Sequence, residues 1–288
     1  MTCWSRLLAG TLLAATLLGG AAVAQTKQDI KLYVFTSGSL GGFSKAALQN
    51  GGQGILDWVP VGFYIIRHPK GIVLFDTGNN DKTIADAEGW WGPLAKGFGI
   101  KMTQDDAIPA QLDKIGIKPA DVKYVVLGHM HLDHAGNMSQ FPNATFVIQN
   151  DELKAAFWPD PGYSIYYIPG DFQDARKYNI IRLDGDLDLF EDGTVRIFRA
   201  PSHTPGSQFA VVRLPNTGTV ILTSDVVYLK ENLDKNLLPA INAVSHPLGM
   251  YEAYQKIRHI RDAENAQIFF AHDPEVFKAT KRAPEFYD

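Results

Sequence analysis

The stretch Gly-His-Met-His-Leu-Asp-His-Ala-Gly at 128–136 constrains this chain more than any other feature. It follows the apolar run 122–127, whose β-branched residues predict a buried strand. The histidines should therefore lie in the loop at the carboxyl end of that strand, where open α/β sheets place their ligand sites. Imidazole and carboxylate are the donors that zinc prefers, and iron, cobalt or manganese also accept them. This clustering predicts a metal site that contains His129, His131, Asp133 and His134.

The His-x-His-x-Asp-His order at 129–134 resembles the metal-binding motif of the metallo-β-lactamase superfamily. The resemblance implies an α/β fold of the αββα sandwich type, in which two mixed β-sheets are flanked by helices and a dinuclear metal site lies on one edge. The superfamily also places an isolated histidine, an aspartate and a C-terminal histidine downstream, and this chain has candidates for all three. The resemblance therefore extends from about residue 32 to residue 277.

Carried over position by position, the resemblance implies two divalent metal ions. Their ligands would be His129, His131 and His203 on one ion, Asp133, His134 and His272 on the other, and Asp225 bridging both. Zinc is the first expectation, and iron, cobalt or manganese would fit the same donors. An Asp-x-Gly element supports the site in the superfamily, and Asp76 matches it. We expect Asp76, at the end of an apolar strand, to orient a ligand histidine.

Two bound metals lower the pKa of the water between them, so hydroxide is available near neutral pH and hydrolysis is the expected reaction. Segment 224–232 resembles the N-acyl homoserine lactonase branch, in which a tyrosine at the position of Tyr228 points its hydroxyl at the lactone carbonyl. The resemblance implies a quorum-quenching lactonase in which Tyr228 stabilises the oxyanion and Asp133 passes a proton to the departing alkoxide. The chain departs from the branch at Ser207, where lactonases commonly carry histidine.

Two other functions stay open for this sequence. The first is another hydrolase on the same scaffold: a β-lactamase, an arylesterase or an organophosphate hydrolase. The second is a non-catalytic metal-binding protein, against which the complete ligand set argues. The alternative for Tyr228 is an edge residue with its hydroxyl in water.

The expected substrate is a small molecule with an apolar tail. Residues 80–102 show no convincing helical or strand period, and adjacent tryptophans in such a loop predict an apolar wall over the metal edge. A second loop, at 159–170, is rich in tyrosine and proline. The predicted substrate contacts are Trp90, Trp91, Tyr163 and Tyr166. The alternatives for the two tryptophans are a cap on the core or an apolar patch that pairs two subunits as a homodimer.

Residues 1–24 have the order of a secretory signal peptide, with Arg6, an apolar run at 7–18, and small residues before the cleavage point. The run is shorter than the ~20 apolar residues of a membrane-spanning helix, so cleavage is expected, and an uncleaved anchor is the alternative. The mature domain would be 25–288, exported to the periplasm or secreted, with no stable membrane insertion. Cys3 would leave with the signal, which confines the metal site to nitrogen and oxygen donors.

The formal net charge of −4, without a long basic run, makes nucleic acid an unexpected partner. Elsewhere, two apolar runs with a turn between them predict a hairpin at 61–75. A helical period of apolar residues predicts an amphipathic helix at 247–261 with Tyr251 facing the core. A further helix is expected at 105–115. His68 is expected in an exposed turn.

Overall fold

A computed structural model describes residue 1 and residues 29–288 of the chain. The predicted signal peptide, beyond its first residue, and the predicted start of the domain at residue 25 lie outside the described residues. Within 29–288, no helix combines the length and the apolar character that crossing a membrane requires.

Most strands belong to two mixed β-sheets. The strands are β1 (Lys31–Leu40), β2 (Phe43–Ser44), β3 (Ile55–Leu56), β4 (Val59–His68), β5 (Gly71–Phe75), β6 (Val122–Val126), β7 (Thr145–Gln149), β8 (Asn179–Leu183), β9 (Leu187–Asp188), β10 (Val195–Arg199), β11 (Gln208–Leu214), β12 (Gly218–Leu222) and β13 (Gln267–Phe269). One sheet has the order β1-β4-β5-β6-β7-β8, and the other has the order β13-β12-β11-β10-β9. In the first sheet β5 to β8 run parallel and the remaining pairs are antiparallel. In the second sheet β12 and β13 are parallel, and the other pairs are antiparallel.

Helices cover the outer face of each sheet. They are α1 (Thr83–Trp91), α2 (Leu94–Phe98), α3 (Ile108–Asp113), α4 (Asn150–Phe157), α5 (Pro169–Phe172), α6 (Lys230–Lys235), α7 (Pro247–Glu264) and α8 (Pro274–Ala279). Apolar side chains of α3, α4 and α5 pack on the first sheet, and those of α7 pack on the second. Side chains of both sheets meet in a further cluster between them. The predicted αββα sandwich with two mixed sheets is confirmed.

Strand β4 shows why the central strands are apolar almost throughout. Phe63 and Ile65 face the helices on the outer side, whereas Tyr64 and Ile66 face the second sheet. Successive side chains of a strand point to opposite faces, so a strand that is buried on both faces needs apolar residues at every position. The predicted hairpin at 61–75 is also present, as the antiparallel pair β4 and β5.

The prediction that residues 80–102 form a loop is wrong, because α1 and α2 lie there. Glycines in this segment hide the helical period in the sequence. Trp91 and Ala95 are buried against residues of β1 and β4. Tertiary packing of this kind stabilises short helices that are marginal in isolation.

Three further local predictions need correction. The helix expected at 105–115 is the shorter α3, preceded by a single 3₁₀ turn. His68 is buried rather than exposed: it ends β4, and its ring stacks on Phe190 with 4.0 Å between the ring centroids. On α7, Tyr254 faces the core, but Tyr251 is exposed, because the apolar face of that helix is narrower than its sequence suggested.

Candidate metal centre

Loops that follow several strands meet at one edge of the sandwich. The loop at 128–134 follows β6, and Asp76 follows β5. From the second sheet, His203 follows β10 and Asp225 follows β12. His272 follows β13 and completes the group. Strand ends of both sheets therefore bring together all of the ligands that the sequence predicted.

His129, His131 and His203 form the first group, which we call the three-histidine cluster. Their ligand atoms all lie within 4.8 Å of one another. Nδ1 of His131 is 2.8 Å from Nε2 of His203, and all three rings are buried. Burial lowers the pKa of each of these histidines. The imidazoles are therefore neutral near pH 7, which is the form that binds a metal.

Asp133, His134 and His272 form the second group, which we call the mixed cluster. Nε2 of His134 lies 3.3 Å from Nε2 of His272. Oδ2 of Asp133 lies 3.7 Å from the first of these atoms and 3.5 Å from the second. Two imidazole nitrogens and one carboxylate oxygen therefore converge on one point, as they would around a divalent ion.

Asp225 lies between the two clusters, with one oxygen directed at each. Oδ1 is 3.2 Å from Nε2 of His134 and 3.0 Å from Nε2 of His272. Oδ2 is 3.4 Å from Nε2 of His203. Burial alone would raise the pKa of Asp225, but His134 and His272 hold it well below its usual range. The ionised carboxylate is thus placed to bridge two cations.

The donor set fits a pair of divalent metal ions. Within 29–288, Nε2 of His129 is buried and has no hydrogen-bond partner. Such an atom is costly in a folded protein unless something binds it. Seven buried or nearly buried nitrogen and oxygen donors without a thiolate suit zinc, and they also suit other first-row divalent ions.

Hydrogen bonds behind the ligands fix how their rings point. Oδ2 of Asp76 lies 2.8 Å from Nδ1 of His134, and Oδ1 of Asp76 accepts a hydrogen bond from the backbone N–H of Gly128 at 2.6 Å. Nδ1 of His272 lies 2.8 Å from the carbonyl oxygen of Pro60. In both histidines Nδ1 is engaged, so Nε2 is directed into the mixed cluster. Asp76 occupies the position that was predicted for a residue orienting a ligand histidine.

A cavity opens onto the metal edge and has an apolar wall. Its lining includes His131, Asp133, His203, Asp225 and His272 at the base, and Leu40, Phe43, Leu48, Val59, Phe98 and Leu132 along the wall. Tyr163 and Tyr166, which were predicted to contact substrate, also line it. The Tyr163 hydroxyl donates to the carbonyl oxygen of Val244 at 3.0 Å, which ties two loops at the rim.

Tyr228 lies at the base of the cavity and not at an edge in water. Its side chain is buried, and its hydroxyl is 2.8 Å from Nδ1 of His203. Burial raises the pKa of Tyr228 well above its usual value, and the carboxylates of Asp225 and Asp133 raise it further. The phenol therefore keeps its proton at neutral pH and can donate a hydrogen bond.

Trp90 and Trp91, which were predicted to contact substrate, do not line this cavity. Trp91 is buried in the packing of α1 and α2 on the sheet. Nε1 of Trp90 donates to Oδ1 of Asp171 at 2.8 Å, on the side facing α5.

Sequence reasoning missed the residues that do form the apolar wall. Phe43 and Leu48 lie in the glycine-rich segment after β1, and Phe98 ends α2. It also missed Glu152, a carboxylate that is fully buried on α4. The available signal for Glu152 was its place just after an apolar strand, as the metal motif also follows an apolar strand.

Comparison with known proteins agrees with this geometry. The metallo-β-lactamase superfamily matches residues 56–272. The N-acyl homoserine lactonase AttM of Azorhizobium caulinodans is 37% identical over 263 residues, which are 90% of this chain and 99% of that protein. AttM of Agrobacterium fabrum is 35% identical over 262 residues, with the same coverage.

A solved structure of an N-acyl homoserine lactone hydrolase, with the product N-hexanoyl-L-homoserine bound at its catalytic metal centre, has a similar fold. It superposes with a TM-score of 0.77 and 27% identity, covering 89% of this chain and 98% of that one. The family match spans both ligand clusters and the bridging aspartate. This chain therefore belongs to the metallo-β-lactamase superfamily.

Proposed function

We propose that this protein is a dinuclear metal-dependent N-acyl homoserine lactonase, which opens the lactone ring to the free hydroxy acid. The observation that carries the proposal is the Tyr228 hydroxyl, buried at the base of an apolar cavity beside both ligand clusters. The two AttM relatives, similar over nearly their whole length, support it. So does the neighbouring structure with N-hexanoyl-L-homoserine at its metal centre.

The three-histidine cluster, the mixed cluster and Asp225 would hold the two ions. Zinc is the proposed metal, because the donors are imidazoles and carboxylates in groups of three around a bridging carboxylate. When bound, a metal pair supplies hydroxide near neutral pH and polarises a carbonyl. The reaction then needs no serine or cysteine as the nucleophile. The same hydrolytic chemistry would act on lactones, β-lactams, aryl esters and organophosphates alike.

Side chains of the protein would orient the lactone and assist the opening of its ring. The Tyr228 hydroxyl donates a hydrogen bond to the carbonyl oxygen as negative charge develops on it. Asp133, whose side chain is 13% exposed at the cavity base, takes up the proton that the nucleophilic water releases as it becomes hydroxide. It returns that proton to the ring oxygen as the ring C–O bond breaks. One water is consumed and one hydroxy acid is released.

The acyl tail would lie along the apolar wall formed by Phe43, Leu48 and Phe98. The Phe98 ring lies 6.3 Å from the rings of both Phe43 and Tyr166, measured between centroids, so these side chains form a continuous aromatic surface. Apolar pockets of this kind bury a ligand's hydrocarbon chain and leave a few polar groups to orient its head.

The direct test is acid release, followed by pH-stat, from hexanoyl and decanoyl homoserine lactones by the zinc-loaded full chain. Asp225→Ala, which removes the bridging carboxylate, is the control. Fast lactone turnover that the variant loses is the expected result. Nitrocefin, phenyl acetate and paraoxon should be poor substrates. Two bound metals without lactone turnover, or faster turnover of one of those three compounds, would contradict the assignment.

We also propose that the protein is exported after cleavage near residue 24, as the order of residues 1–24 suggests. N-terminal sequencing of protein recovered from the periplasm or the medium tests this, and an intact Met1 on cytoplasmic protein would contradict it.

A homodimer is a second expectation, and light scattering of the purified protein measures it directly.

A further inference from the structure

We infer that Glu152 is a positioning residue, which holds the two loops of the three-histidine cluster in the geometry that binds metal. Glu152 lies in the first turn of α4, its side chain is buried, and it takes no part in the proposed chemistry. The inference rests on the proposed metal centre. It does not depend on a lactone being the substrate.

One oxygen of Glu152 holds the first loop. Oε1 accepts a hydrogen bond from the backbone N–H of Met130 at 2.7 Å, and Met130 stands between His129 and His131. The same oxygen accepts from the Tyr167 hydroxyl at 3.2 Å. The Tyr167 ring packs against the ring of His131, with 4.6 Å between centroids. Backbone and ring of the first loop are thus both fixed through this carboxylate.

The other oxygen of Glu152 holds the second loop, at 200–207, which contains His203. Oε2 accepts from the Thr204 hydroxyl at 2.5 Å and from the backbone N–H of Gly206 at 3.2 Å. A Cβ atom at Gly206 would lie 2.2 Å from the backbone nitrogen of Glu152. The loop after His203 therefore rests directly on the backbone of α4, and glycine is needed for that approach.

Ser207, the position at which this chain departs from the lactonase pattern, belongs to the same network. Its hydroxyl oxygen accepts from the backbone N–H of Thr204 at 2.9 Å and lies 2.8 Å from the Thr204 hydroxyl. The serine therefore closes the second loop on itself. Thr204, in turn, connects that closed loop to Glu152.

The two backbone contacts explain why a carboxylate is required. The N–H groups of Met130 and Gly206 can only donate, and each points at a different oxygen of Glu152. Glutamine has the same volume but offers an NH₂ group to one of these donors, so one loop loses its partner. The mixed cluster has separate supports, because Asp76 and the Pro60 carbonyl orient its histidines.

The test measures zinc affinity of the full chain by competition with a chromophoric chelator, in two backgrounds. His272→Ala leaves the three-histidine cluster intact, and His203→Ala leaves the mixed cluster intact. Loss of a residue behind a metal ligand typically weakens binding by about 10- to 100-fold. Glu152→Gln should cause a loss of that size in the first background and less than about threefold in the second.

Asp151→Asn is the matched control, because it removes a carboxylate from the neighbouring position of α4 that pairs with Arg199 and Lys154 instead. It should leave both affinities unchanged. If Glu152→Gln does not fold, Thr204→Val removes one donor to the carboxylate and should show the same selectivity with a smaller loss. An equal loss in both backgrounds, or none in either, would overturn the inference. Since the readout is metal affinity, failure of lactone turnover would leave this result unaffected.

Discussion

Asp76 directly follows β5 of the first sheet and Ser224 lies two residues after β12 of the second, and the Ser224 hydroxyl donates to Oδ2 of Asp76 at 2.8 Å. Both residues have positive φ, 60° and 45°, a conformation that is uncommon for residues other than glycine. Backbone strain of this kind persists where surrounding contacts enforce it, and it clusters at functional sites. The pair joins the two halves of the sandwich directly behind the metal edge.

Asp76→Asn should weaken metal binding at the mixed cluster by about 10- to 100-fold. The Asp76 carboxylate now accepts hydrogen bonds from the Gly128 N–H and the His134 ring. In the variant, the amide NH₂ would face one of these two donors, and that hydrogen bond would be lost. Zinc titration against a chelator measures the effect. Asp174→Asn, an exposed carboxylate paired with Lys177, is the control. Unchanged zinc affinity in Asp76→Asn would exclude the orienting role of Asp76.

Tyr228→Phe should lower kcat for lactone hydrolysis by about tenfold to a hundredfold, because it removes one donor to the oxyanion. The ring remains, so KM should change little. Initial rates measured over a range of lactone concentrations give both kcat and KM. Zinc content has to be compared in parallel, since the hydroxyl also contacts Nδ1 of His203. A variant with full zinc and wild-type kcat would remove Tyr228 from the proposed mechanism.

Phe98→Ala should lower kcat/KM for decanoyl homoserine lactone by about tenfold and that for the butanoyl compound by less than about threefold, because only the long tail reaches the lost ring. Trp158→Ala is the control, since that side chain is 89% exposed and does not line the cavity. Equal effects on both substrates would show that the tail lies elsewhere.

Asp171 should make the metal-free protein less stable as pH rises. Burial raises the pKa of Asp171 to about 7, and hydrogen bonds from Trp90 and Asn80 and the charge of Lys82 only partly oppose this. Between about pH 4 and 7 the folded state therefore keeps a proton that the unfolded state has lost, and the free energy of unfolding falls by up to about 4 kcal/mol.

Urea unfolding of the metal-free wild type and of Asp171→Asn at pH 5, 6, 7 and 8 tests this dependence. Asparagine keeps the oxygen that accepts from Trp90 and Asn80, and it has no charge to titrate. The wild type should lose stability relative to the variant across this range. Parallel curves for the two proteins would mean that Asp171 does not carry the pH dependence.

The resemblance of the histidine motif to the metallo-β-lactamase superfamily implied the architecture, and local patterns in the sequence predicted individual strands. Central strands such as β4 are apolar at nearly every position, which is what burial on both faces requires. The histidine motif follows the apolar strand β6 directly, so its place at a strand end could be predicted without knowledge of the sheet order. Asp76 was recognisable because it ends an apolar strand, whereas Asp225 was identified through the superfamily resemblance.

Other features depended on packing between distant segments, which local patterns do not encode. Trp90 and Trp91 were predicted to contact substrate, but the helices formed by 83–98 turn them towards Asp171 and the sheet. The glycines of that segment weaken its helical period, and its stability comes from tertiary contacts. Other residues, among them Phe98, therefore form the apolar wall of the cavity.

The kinds of metal-binding donor and their order along the chain could be read from the sequence, and the superfamily resemblance implied the sandwich that carries them. The side chains of Asp225 and Glu152 take up their roles only in the folded chain, where one oxygen of Asp225 faces each ligand cluster and Glu152 supports two loops whose contacting residues, Met130 and Thr204, are 74 positions apart. Hydrogen bonds between segments far apart in sequence have no period to detect. They exist only once both sheets have folded and brought those loops to one edge.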